Sequence, residues 1–131
     1  MRTAVMAAAM AAMAAAGCGG SGYGSDGTSP GGCHSGNATA TTSVALTASA
    51  FVPSCVKIAP GSTITFTNDD VALHTVTTDA GQATSFDSGN LAQTQQFVRT
   101  FSAAGTVNVH CTYHVATGMR ATIIVEVPPV Y

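Results

Sequence analysis

Residues 106–119 read Thr-Val-Asn-Val-His-Cys-Thr-Tyr-His-Val-Ala-Thr-Gly-Met, an alternating run that stops at a cysteine and passes into a loop. Side chains alternate along an extended chain, so Val107, Val109 and Cys111 share one face while Thr106, Asn108 and His110 share the other. Cys111 is therefore expected to point inward among apolar neighbours, with His110 pointing away. After it the spacing is C-x2-H-x4-M, through His114 to Met119, and a last strand from Ala121 to Val127 closes before Pro128-Pro129.

Working back from this unit, residues 42–131 form the expected folded domain. No helical period runs through it. Short β-branched stretches alternate with turn residues instead: Val44 to Ser49, Cys55 to Ala59, Ser62 to Thr67, Leu73 to Thr77 and Gln95 to Phe101. In Ser62 to Thr67, Ile64 and Phe66 alternate with threonines, giving one buried and one wet face. Pro60-Gly61, Asn68-Asp69-Asp70, Asp87-Ser88-Gly89-Asn90 and Ala104-Gly105 are turn signals, the second of the Asx type. About seven or eight short strands at near-regular spacing predict an all-β, antiparallel sandwich.

The chemistry sits at one end of that sandwich. A thiolate, an imidazole and a thioether supplied by one loop form a soft donor set, suited to copper that alternates between two oxidation states. A trigonal plane needs a second histidine, and the chain has four in all. His34 lies in a low-complexity segment and His110 faces away, which leaves His74, just after the Asn68–Asp70 turn. Singly, each residue has an ordinary explanation: a buried inert thiol, a loop histidine, a strand-end histidine, a gap-filling methionine. Together, with this spacing, they point to a metal.

At these residues the chain resembles the small blue copper proteins, or cupredoxins, a family that includes plastocyanin, pseudoazurin, amicyanin and halocyanin. The loop has the plastocyanin and pseudoazurin length. Phe51-Val52-Pro53, Gly61 through Asp70, and His74-Thr75-Val76 also look like the family's approach to its first ligand. The resemblance implies a Greek-key β-sandwich holding one type 1 copper ion on His74, Cys111, His114 and an axial Met119. It implies a non-enzymatic carrier that shuttles single electrons between a donor and an acceptor protein by transient docking. It also implies that Thr75 and Thr112, each following a ligand, cross-brace the two ligand segments. Tyr113, where proline is frequent, and the extra thiol Cys55 depart from the pattern.

Val71, Leu73, Val115 and Ala116 are expected to form an apolar rim around His114, through which electrons would pass. A copper carrier or storage protein is the competing function. It would favour Met-rich or His-rich sites, yet four of the five methionines precede residue 14.

Those methionines belong to an address segment, residues 1–18. Arg2 supplies one positive charge, Ala4 to Ala16 is an apolar run too short to span a bilayer, and Ala15-Ala16-Gly17-Cys18 resembles a bacterial lipobox. Export to the periplasm or cell envelope is expected, with Cys18 lipidated as a membrane anchor; ordinary cleavage after Ala14-Ala15-Ala16, releasing a soluble protein, is the competing reading. Residues 19–41, rich in Gly and Ser, read as a flexible tether. Of the remaining cysteines, Cys33 and Cys55 are free either to bridge or to stay separate thiols. Lys and Arg total four, with a net charge of −2, so no basic patch for nucleic acid can form. A monomer is expected.

Overall fold

The computed structural model describes residues 32–129, and residues 1–31 and 130–131, with the address segment and Cys18, lie outside the described residues. Nine strands are described: β1 (Thr39–Ala40), β2 (Ser43–Thr47), β3 (Ala50–Val52), β4 (Cys55–Ile58), β5 (Ser62–Asn68), β6 (Thr77–Thr78), β7 (Gln96–Phe101), β8 (Gly105–His110) and β9 (Arg120–Val125). They form two sheets, ordered β1-β4-β9-β8-β6 and β3-β2-β5-β7. The chain is an all-β sandwich, as its alternating stretches require.

Strands β2, β4, β5 and β8 bury every second residue, whereas β9 buries Ala121, Thr122 and Ile123 in succession. In β5, Ile64, Phe66 and Asn68 are buried, and in β8, Val107 and Val109. Across the interior they meet Val44, Leu46, Val56, Ile58, Ile123 and Val125. At one edge Phe86 packs on Phe97 at 5.5 Å and edge-on to Phe101 at 5.9 Å between ring centroids, with the Arg99 guanidinium 4.9 Å over the Phe86 ring. Burying one large apolar side chain contributes roughly 1.5–3 kcal/mol, so this two-sided interior is the main source of rigidity.

Three features depart from the expectation. The sheets are mixed: β1 runs parallel to β4, β4 to β9, and β2 to β5. Chain crossings between the layers bring strands distant in sequence side by side in the same direction, which hairpin counting does not register. Second, Leu73 to Thr77 is not a continuous strand. His74 makes an isolated bridge to Leu91, and the Val76 N–H donates to the Ser88 hydroxyl in place of a ladder carbonyl. Third, residues 32–41 pack on the body and not apart from it. Cys33 is disulfide-bonded to Cys55, Thr39–Ala40 extends the sheet edge, and the Lys57 ammonium donates to the Ser35 carbonyl.

Candidate metal centre

One end of the sandwich gathers three potential ligands from two segments. His74, Cys111 and His114 place one ligand atom each within 4.8 Å of one another, the first two wholly buried and the third half-buried. Cys111 follows β8 directly, on the face of Val107 and Val109, and its thiol is fully enclosed. Its Sγ lies 3.6 Å from His74 Nδ1 and 3.4 Å from His114 Nδ1. Donors about 2.0–2.3 Å from a shared ion in a trigonal plane stand about 3.5–4.0 Å apart, so the two sulfur–nitrogen spacings suit a metal of that size.

The loop that carries Cys111 and His114 closes on itself. The Cys111 N–H donates to the Met119 carbonyl at 3.1 Å, and the Met119 N–H returns to the His114 carbonyl at 3.1 Å. Between them Val115–Thr117 forms one 3-10 turn, ended by Gly118 at φ 85°, where a side chain would be strained. Met119 is completely buried at the loop's end. Tyr113 donates its phenol to the Asn90 side chain at 2.6 Å, fastening the loop to the Asp87–Asn90 turn.

The segment bearing His74 is held by side chains. Asn68, at the end of β5, is fully buried; its amide donates to the Leu91 carbonyl at 2.7 Å and the Ala72 carbonyl at 2.9 Å. Its Oδ1 accepts the Asp70 N–H at 2.8 Å, the Asx turn expected from the sequence. His74 exchanges backbone hydrogen bonds with Leu91, at 3.2 and 2.8 Å. Its Nε2 lies 2.9 Å from the Asp70 carboxylate. That hydrogen bond from His74, outweighing desolvation, holds the Asp70 carboxyl below its ordinary value.

Thr75 and Thr112 lie where their segments cross. The Thr75 N–H donates to Cys111 Sγ at 3.5 Å, and Thr75 Oγ1 accepts the Thr112 N–H at 3.0 Å. Val71, Leu73, Tyr113 and Val115 are exposed large hydrophobics, and Ala116 is exposed as well. Val71 is the extreme, at 81%. His110 lies elsewhere, its Nδ1 2.6 Å from Asp79, which also pairs with Arg120 at 3.3 Å.

Sequence reading misses Asn68 and Asp70 as supports of His74, and the Tyr113–Asn90 tie. The one available signal is the polar run Asn68-Asp69-Asp70 four to six positions before the histidine, and by itself it indicates only a turn with a slight charge.

The residues present suit copper: one thiolate, two imidazole Nδ1 atoms, and a buried thioether at the loop's end. The profile of copper binding proteins of the plastocyanin/azurin family matches residues 38–126. The plastocyanin of Ulva arasakii is 34% identical over 87 residues, 60% of this chain and 89% of that protein. The structure of an oxidized amicyanin mutant superposes with TM-score 0.59 at 26% identity, over 64% of this chain and 80% of that one. A purple cupredoxin from Nitrosopumilus maritimus shares the fold, with TM-score 0.58 at 21% identity over 66% of this chain and all of the other.

Proposed function

This chain belongs to the plastocyanin/azurin family of copper-binding proteins, and on that premise we propose that it carries single electrons between redox proteins of the cell envelope. The observation that carries the reading is the enclosed Cys111 thiol, flanked by His74 and His114 Nδ1 at 3.6 and 3.4 Å and by the Thr75 N–H at 3.5 Å. His74, Cys111 and His114 would hold the ion, with Met119 as a fourth, weaker donor. Copper bound there supplies a one-electron couple.

The chain's own residues keep that couple fast. A donor set fixed by a packed sandwich rearranges little when charge changes, which keeps the barrier low. The buried thiol and the N–H aimed at its sulfur set the potential. His114, half-buried, is the side chain through which electrons leave, and Val71, Leu73, Val115 and Ala116 exclude water from a brief contact with a partner. Export rests on the apolar run Ala4 to Ala16, and anchoring on Cys18 after Ala15-Ala16-Gly17. The described residues contain no helix long and apolar enough to cross a membrane.

Loading residues 19–131 with Cu(II) tests the reading. An intense blue band with narrow copper hyperfine splitting is expected, and Cys111→Ser should lose both. Pale binding that does not need Cys111 would replace electron transfer with copper carriage.

A further inference from the structure

A closed ring of hydrogen bonds surrounds His74. The Asn68 amide and the His74 N–H both donate to the Leu91 carbonyl, at 2.7 and 3.2 Å. Asn68 Oδ1 receives the Asp70 N–H at 2.8 Å, and the Asp70 carboxylate lies 2.9 Å from His74 Nε2. Asn68 is fully buried, so the ring has a fixed corner. A carboxylate can only accept, so the proton between it and the imidazole sits on His74 Nε2. The lone pair is then on Nδ1, the atom that faces Cys111 Sγ at 3.6 Å.

His114 differs. Its Nδ1 also faces the thiol, and its backbone is held by the loop's own carbonyl contacts. Among the described residues the centre is thus asymmetric: a carboxylate bonds the imidazole of His74 and none is seen on that of His114. A negative charge one imidazole away from the metal makes that ring a stronger donor. It also stabilises the more highly charged ion.

Resting on the ligand assignment proposed above, we infer that Asp70 is the positioning residue of the copper centre, fixing the His74 tautomer and biasing the site toward Cu(II). Asp70 touches neither the sulfur nor the ion; it acts through the ring of His74. The bias therefore depends on charge, and the tautomer on the acceptor, so two substitutions separate them. Asp70→Asn keeps a shape-matched acceptor and removes the charge. Asp70→Ala removes both.

The experiment measures Cu(II) and Cu(I) affinities and the reduction potential of wild type, Asp70→Asn and Asp70→Glu. Nitrogen-15 NMR of the copper-free wild type and Asp70→Ala reads the His74 tautomer directly. Asp70→Asn should bind Cu(II) about 10- to 100-fold more weakly, as carboxylates behind ligand histidines usually do. Cu(I) affinity should fall less, so the potential rises, by about 59 mV for each tenfold difference. Asp70→Glu should restore part of the shift. In the copper-free protein His74 should be Nε2-protonated, and mixed in Asp70→Ala. Equal losses for both oxidation states in Asp70→Asn, or an Nδ1-protonated His74 in the wild type, would overturn the inference. A wild type without the blue band would sink the electron-carrier reading instead, and the copper-free NMR would still report on Asp70.

Discussion

Thr75 and Thr112, 37 positions apart, are joined twice: their hydroxyls lie 3.3 Å apart, and the Thr112 N–H donates to Thr75 Oγ1 at 3.0 Å. Each follows a proposed ligand, so this pair locks the segment of His74 to the segment of Cys111. Thr75→Ala removes the shared acceptor while leaving the backbone N–H that reaches the sulfur. We expect a loss of about 1–2 kcal/mol of stability in the copper-free protein, read by denaturant titration. With the brace gone, the Thr75 N–H should point less well at the sulfur, so voltammetry should show a lower potential. An unaltered spectrum and potential would leave Thr75 a purely structural residue.

Ala116 stands exposed on the 3-10 turn between His114 and Met119. Its methyl belongs to the proposed apolar docking rim, and Ala116 is not among the proposed ligands. Ala116→Lys should leave the blue absorption intact and slow transfer to a partner protein by about tenfold, equivalent to some 1.4 kcal/mol of lost docking energy. Stopped-flow kinetics with any competent redox partner reads this. Equal rates would place the exit route elsewhere than His114.

The Cys33–Cys55 bridge spans 22 positions. Loop-closure entropy for that length is worth about 3 kcal/mol in the unfolded chain. Replacing both cysteines by serine should lower stability by up to that amount, measured with copper absent so that metal binding does not mask it. The blue spectrum of the loaded variant should be unaffected, because the proposed ligands lie at residue 74 and in residues 111–119, outside the ring that the bridge closes. A spectral change would tie β1 to the metal loop.

Asp70 titrates below the ordinary carboxylate range in the folded protein because His74 donates to it. A lowered folded value means the unfolded state binds its proton first as acid is added. The corresponding stability is therefore present above the unfolded value, about 4, and is lost as the pH falls through the folded one. In the copper-free protein, Asp70→Asn should flatten the acid limb of a stability–pH curve without changing its neutral plateau's slope. An acid limb identical to that of wild type would mean other carboxylates control it.

The alternation of Val107, Val109 and Cys111 is legible because a six-residue strand carries enough periods to show its buried face. Cys111, His114 and Met119 are legible because they share one loop, so spacing alone relates them. His74 needs elimination, which a chain with four histidines permits. Strands β1 and β3 escape sequence reading, since two or three residues hold no period to detect. Asp70 is hidden for a different reason. Its partner is four positions on but in irregular chain, where no helix or strand rule brings such residues together. The parallel pairings are hidden as well, because they depend on where the chain crosses between layers and not on any strand's own pattern.

The bridge at Cys33 also makes residues 33–55 a covalent ring. A protease that cuts anywhere from His34 to Ser54 opens that ring but separates nothing, and both pieces stay on the same sandwich. A cut before Cys33 has the opposite effect: it frees residues 33–131, with every proposed copper ligand, from whatever precedes them. Shedding of an intact electron carrier and tolerance of internal nicks are thus divided at a single residue.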